Sequence, residues 1–275
     1  MTVPAGRVVV LAPAWDTTAT AVARASAVRH DGGVLLVRPE RLGLARRWAH
    51  RIAPDGTASG EVVLGDGTRL ADEDIACVLN RAEVVPVPRF AGAAARDRDY
   101  AAMELRALVA SWLAGLGGRV VDPPAGSGPG RVRSRRQWLA LAHEVGLPVA
   151  ASALATSARL PPVAGRRRWT GPVPAGGERH LGRRPVELEQ PVDGSGSELL
   201  VVGDRTAGAL AGELGDRCVA LARAAGSRLL RCRFARAEQG PLLVDVDPRP
   251  VLDQPAEVVA VAELLTRVAA AGGPP

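Results

Sequence analysis

The stretch GRVVDPPAGSGPGRVRSRRQWLALAHEVGLPV, residues 118–149, holds the reading that decides the fold. Arg119 to Asp122 is a short apolar strand, and Pro123 to Gly130 is a loop by composition. Within that loop Gly126, Gly128 and Gly130 read either as a linker or as a phosphate cradle. Ser134 and Gln137 stand at capping-box spacing and open a helix through QWLALAHEV, on which Trp138 reads as core and His143 as surface. Gly146 stops the helix and Pro148 starts an extended segment. Strand, loop, capped helix, stop and strand in this order mark a boundary between two parts of the chain.

Upstream, strands alternate with helices. Arg7 to Ala12 (RVVVLA) is a buried-type strand, and Asp16 caps a helix to about Arg29 with Ala19, Val22, Ala23 and Val28 inward. Val34 to Val37 is a second strand, and Pro39 begins a helical stretch to Trp48. Glu61 to Leu70 reads as a hairpin turning at Asp66 and Gly67, and Ile75 to Asn80 is again a strand. Asp97 to Leu116 carries Leu105, Leu108, Val109, Trp112 and Leu116 at three- and four-residue spacings, the mark of a long helix. This alternation predicts an α/β fold with a parallel sheet covered on both faces.

Downstream, Pro161 to Arg184 is rich in Pro, Gly and Arg and reads as a loop or mobile flap. Val186 to Gln190 and Glu198 to Val202 read as strands, Thr206 to Ala225 as a helix, and Arg228 to Ala235 with Leu242 to Val246 as a hairpin around Glu238 to Gly240. Glu257 to Ala270 is an amphipathic helix with Val258, Val261, Leu264, Leu265 and Val268 inward.

The whole chain has 275 residues, 47% hydrophobic and 23% charged, the balance of a globular protein. No run approaches the roughly 18 apolar residues of a membrane helix, and the first residues lack the cationic lead of a signal peptide, so a cytoplasmic protein without a membrane partner is expected. Cys77, Cys218 and Cys232 have neither CxxC spacing nor nearby histidines and read as buried thiols. All 35 cations are arginine, and there is no lysine. A net charge of +6 with 3% aromatic residues and scattered arginines argues against nucleic acid as a partner. No Ser, His and Asp arrangement supports nucleophilic hydrolysis, and no catalytic residue can be named.

Three ordered blocks across residues 118 to 255 carry a resemblance. VVDPP (Val120 to Pro124) is similar to a strand reading v-v-N-x-P, followed by a helix opening with Ser or Asp then Lys, here Ser134, Arg135 and Arg136, and by a GlpvP-T segment ending here in Ala155 to Ser157. LEQPVDG (Leu188 to Gly194) with ELLVVGD (Glu198 to Asp204) is similar to a hinge strand and its return, and GPLLVDVDPRPVL (Gly240 to Leu252) to a terminal strand carrying Glu-x-Asn. The chain thus resembles the ATP-grasp superfamily, in the branch of glutamate-adding ligases and maturases of ribosomally made peptides.

The resemblance implies a Rossmann-like N-terminal domain, residues 1–122, followed by an ATP-grasp-like α+β domain, 123–275, with a shortened flap at about 161–185. It implies ATP and Mg2+ as cofactors, with ATP held between two subdomains. Arg135 or Arg136 stands for the helix-opening lysine, and Arg166, Arg167 and Arg168 occupy the flap region. Glu189, Gln190 and Val192 would line the adenine pocket. Asp245 and Asp247, two apart on a strand and so on one face, would hold the metal, with Asp193 or Asp204 as additional ligands. Arg233 falls where the family carries another metal carboxylate, and Glu198 where it carries a substrate-gripping arginine. Each site has a plainer reading, as a solvated strand face, a loop charge run or a structural hinge.

Two functions follow. One is an ATP-dependent carboxylate-amine or carboxylate-thiol ligase working through an acyl phosphate in specialised metabolism or peptide modification, with nucleotide and a carboxylate or peptide as partners and with turnover impaired by the arginine substitutions. The other is a degenerate, non-catalytic relative that serves as a scaffold for a peptide or another enzyme. A small-molecule binding protein without nucleotide is a third.

Overall fold

A computed structural model describes residues 6–124, 133–155, 167–168, 186–189 and 193–271. The first half holds β1 (Arg7–Leu11), α1 (Thr17–Ala27), β2 (Val34–Val37), α2 (Pro39–Gly43), β3 (Arg47–Ile52), β4 (Ala58–Val63), β5 (Arg69–Ala71), β6 (Ile75–Asn80), α3 (Ala95–Gly115) and β7 (Val120–Val121). The apolar runs pair in parallel in the order β2-β1-β6-β7, and every residue of β6 is buried. Asp16 caps α1 as expected, its Oδ1 accepting the Ala19 N–H at 2.8 Å.

Two local expectations fail here. Val28 is 80% exposed, because α1 ends one residue earlier. The helix from Pro39 stops at Gly43, where a side chain would collide with the Pro86 carbonyl at 2.1 Å. Arg47–Ile52 is instead a strand, forming an antiparallel sheet β3-β4-β5 that also contains the expected hairpin at Asp66 and Gly67. The Trp48 ring meets that of Trp112 on α3 edge to face at 5.6 Å, which docks this sheet on the long helix.

In the second half come α4 (Arg135–Glu144), β8 (Ser152–Ala155), β9 (Arg167–Arg168), β10 (Val186–Glu189), β11 (Asp193–Val202), β12 (Arg205–Gly208), α5 (Ala211–Ala225), β13 (Leu229–Ala237), β14 (Gly240–Asp247) and α6 (Pro255–Ala271). The capping box of Ser134 and Gln137 is formed, and Gly146, at φ +78°, ends the helix region. Strands pair antiparallel as β8-β10-β9 and as β12-β11-β13-β14. The helix expected from Thr206 starts only at Ala211, because Arg205–Gly208 first returns along β11 as an edge strand. Arg167 and Arg168, expected in a loop, form the short strand β9; the rest of 161–185 lies outside the described residues. The fold is therefore α/β, a parallel sheet followed by antiparallel ones.

Three cores hold these layers. Trp138, Leu214, Cys218 and Leu221 of α4 and α5 pack on one face of β11, β13 and β14, against Leu199, Cys232, Phe234 and Val246. On the other face Leu200, Val202 and Leu229 join α6 and the first sheet. The third core lies between the first sheet, α3 and the β3-β4-β5 sheet. All three cysteines are buried, and burial pushes the Cys77 thiol up to about 12.

Two polar clamps join the halves. Arg81, directly after β6, sends Nε to Asp16 Oδ2 at 2.6 Å, Nη1 to the Pro250 carbonyl at 3.3 Å and Nη2 to the Arg249 carbonyl at 3.4 Å. Asp122 adopts φ +58°, a conformation that Asp and Asn tolerate better than most residues. Its carbonyl accepts Asn80 Nδ2 at 3.0 Å, and its carboxylate accepts the Ser227 hydroxyl and the Arg228 N–H.

Replacing Arg81 by leucine leaves the Asp16 carboxylate buried without its cation. The expected loss is about 3–5 kcal/mol of unfolding free energy, measured by urea denaturation; a loss under about 1 kcal/mol would place the pair among surface ion pairs.

Candidate functional site

Beyond the part that α6 covers, the strand face opposite α4 and α5 carries charge. Antiparallel register sets Glu198 of β11 beside Arg233 of β13, and Arg233 beside Asp245 of β14, one row across three strands. Arg233 Nε lies 3.2 Å from Glu198 Oε1, and its Nη1 lies 3.6 Å from Asp245 Oδ2. Half of the Arg233 side chain is exposed, as are 47% of Glu198 and 41% of Asp245, so solvent screens these pairs.

Arg231, two residues earlier on the same face, is 11% exposed. Its Nη2 contacts both oxygens of Glu257 on α6 at 2.9 Å, and its Nη1 reaches Glu198 Oε2 at 3.0 Å. This guanidinium fastens α6 to the sheet. Arg233 next to it faces outward, held only by half-exposed carboxylates.

Asp245 and Asp247 share that face, since Val246 between them is buried in the opposite core. The pairing slips between Arg233 and Phe234, leaving Val244 as the extra residue of a bulge. The Val244 carbonyl accepts Arg135 Nε at 2.6 Å, which ties the first turn of α4 to β14 at the bulge. Asp247 Oδ1 accepts the Arg249 N–H at 2.8 Å. It also borders a pocket of about 260 Å³ with Trp15, Arg81, Glu83 and Val251, at the carboxyl ends of β1 and β6. Burial, then the charge of Arg81, pulls the Arg249 guanidinium below the ordinary arginine range.

Of the residues singled out in the sequence, Arg233, Asp245 and Asp247 therefore share one face of the sheet, and Arg135 reaches the Val244 carbonyl from α4. Arg136 is half-buried on α4. Arg167 and Glu189 are opposed on β9 and β10, with Arg168 opposite Leu188. Arg166, Gln190 and Val192, like Gly126, Gly128 and Gly130, lie outside the described residues. Asp204 does not join the acidic pair: it lies beyond the far end of β11 and lines a separate groove. Sequence reasoning missed Arg231 and Arg249. The signal for Arg231 was present in R-C-R, residues 231–233, which has the same two-residue spacing as D-V-D.

Among the described residues no group of three or more acidic, His or Cys side chains is gathered for a metal ion. Two carboxylates on one face suit a magnesium ion completed by phosphate oxygens and water. They fit such an ion, in competition with Arg233 at Asp245.

Arg231→Ala is expected to cost about 3 kcal/mol of stability, because it strips a largely buried cation from Glu257. Arg233→Ala should cost under about 1 kcal/mol. Equal losses in urea titrations of the two variants would show Arg233 to be structural.

No protein-family model matches the chain, and no curated protein matches it. Solved structures do. Macrocyclase MdnC from Microcystis aeruginosa MRC, bound with precursor peptide MdnA, superposes with a TM-score of 0.71 at 13% identity, over 95% of this chain and 99% of that one. ATP-grasp ligase PsnB, complexed with minimal precursor, Mg and ADP, gives 0.68 at 16% identity over 96% and 98%. A Chryseobacterium gregarium RiPP-associated ATP-grasp ligase, in complex with ADP and a leader and core peptide, gives 0.67 at 11% over 95% and 97%. At these identities the likeness is one of fold.

Proposed function

Proceeding from the ATP-grasp fold that this chain shares with peptide-modifying ligases, we propose that it binds a nucleotide over the row Glu198, Arg233 and Asp245 and acts on a peptide carboxylate with impaired turnover. The single observation that carries this reading is Arg233, half-exposed and paired with Asp245. A guanidinium there attracts phosphate oxygens by charge-assisted hydrogen bonds and takes over part of the role of a cation. Asp245 and Asp247 remain as donors for one magnesium ion, which when bound would draw charge from the phosphates and the reacting carboxylate.

Arg135, Arg136 and the arginines at 166–168 act in this reading as phosphate contacts in place of lysines. Arginine offers a planar fork where lysine offers a point charge, so the phosphates are held differently and transfer slows. Glu189, Gln190 and Val192 line the adenine side. The same Arg233 to Asp245 pair also favours a second reading, a scaffold without turnover whose acidic pair is permanently neutralised.

Nucleotide titration with and without magnesium, followed by melting temperature and phosphate release, separates the readings. At a hundred times its dissociation constant a ligand adds about 2.7 kcal/mol of stability. ATP is expected to stabilise the protein even in chelator, with slow phosphate release, and Asp245→Asn with Asp247→Asn should remove only the magnesium-dependent part. Arg135→Ala should weaken binding about tenfold, the scale of one hydrogen bond to a charged group. Rapid magnesium-dependent turnover overturns the impairment, and no binding under either condition leaves the scaffold.

A further inference from the structure

Around Arg233 the carboxylates outnumber the cations. Glu198, Asp245, Asp247, Asp253 and Glu257 gather about Arg231 and Arg233. Even with Arg135 counted, which reaches the Val244 carbonyl, five carboxylates meet three guanidiniums. Arg249 changes nothing in this balance, because Glu83 takes its guanidinium. A face with this excess of negative charge suits a further cation.

The guanidiniums are held differently. Arg231 is largely buried and gripped by both oxygens of Glu257, and Arg135 donates to the main chain of β14. Arg233 is half-exposed, and its 3.6 Å approach to Asp245 is longer than a hydrogen bond. Its departure would strand neither partner. Arg231 Nη1 already holds the other oxygen of Glu198 at 3.0 Å, and Asp245 is open to water. Register sets Arg233 opposite Asp245 and Arg231 opposite Asp247, whose Oδ1 accepts only a neutral donor from Arg249, the main-chain N–H. The movable cation thus stands against one of the two carboxylates that suit a divalent ion.

We propose that Arg233 is a resident cation that keeps a divalent metal off Asp245 and Asp247 until a tetrahedral oxyanion draws it away. The oxyanion engages the planar fork of the guanidinium, which strengthens its hold on the anion as it leaves Asp245. The uncovered acidic pair then accepts the metal beside the anion. Anion and metal each tighten the other by the same factor, about 5- to 150-fold for a coupling of ordinary size. Release by phosphate rests on the reading that phosphates lie over this row; exclusion of the metal from the free protein does not. The acidic pair is masked rather than permanently neutralised.

The test uses the full chain without nucleotide and Mn2+ as a paramagnetic stand-in for Mg2+, bound ion being read from loss of the free-ion resonance. In chloride, Arg233→Gln should bind Mn2+ at least about tenfold more tightly than the unaltered chain. Arg233→Lys, which keeps the charge, should resemble the unaltered chain. Adding Asp245→Asn and Asp247→Asn to Arg233→Gln should abolish the gain. Replacing chloride by sulfate at equal ionic strength should tighten Mn2+ binding by the unaltered chain and leave Arg233→Gln as it was. Melting temperatures near that of the unaltered chain show the variants to be folded. Equal Mn2+ affinity of the unaltered chain and Arg233→Gln, the same gain in Arg233→Lys, a gain that survives loss of both aspartates, or no effect of sulfate each overturns the proposal. An unaltered chain that shows these shifts yet binds no ATP removes the nucleotide reading alone, and ATP binding without them removes the exchange alone.

Discussion

The geometry of the molecule hangs on one buried guanidinium. Arg81 and Asp16 are 5% and 6% exposed, and a buried ion pair of this kind contributes little net stability by itself. Its importance is positional. Asp16 is fixed by capping α1, Arg81 by following β6, and the remaining donors of Arg81 take the carbonyls of Arg249 and Pro250. Those carbonyls follow Asp247 by two and three residues. The carboxyl end of the parallel sheet therefore dictates where the acidic end of β14 comes to rest. Asp122 repeats the device lower down, its side chain tying Ser227 and Arg228 to the exit of β7.

Much of this was legible where a local rule was strong. The capping box at Ser134, the cap at Asp16, the buried run of β6 and the shared face of Asp245 and Asp247 follow from spacing alone. What failed did so for lack of a local signal. The strand RWAHRI carries as many polar as apolar residues, and its first two, Arg47 and Trp48, continue the helical pattern that starts at Pro39. RTAG, residues 205–208, has no apolar run, and only its partner strand makes it one. The contacts of Arg231 with Glu198 and Glu257 span 33 and 26 residues, and register decides them. The bulge at Val244, whose carbonyl Arg135 takes, is likewise set by pairing.

A lysine-free chain gives the open face its character. Every cation on it is planar, permanently charged and able to engage two oxygens at once. Arg231 uses this on Glu257, bridging helix to sheet, while its neighbour Arg233 spreads the same fork between two carboxylates of adjacent strands. Burial separates the two: similar chemistry serves as mortar at 11% exposure and stays exchangeable at 50%.

The last helix has a consequence for how the protein is made. Val261, Leu264, Leu265 and Val268 of α6 complete the same core as Val8, Val10 and Val22 near the other end of the chain. During synthesis the first sheet can pair its strands early, but one apolar flank stays wet until residues 255–271 leave the ribosome. Contacts of such long sequence separation slow folding and prolong the exposure of sticky surface. A nascent chain halted before residue 255 would carry an intact-looking first half with an unroofed flank, a form for chaperones to hold and proteases to find.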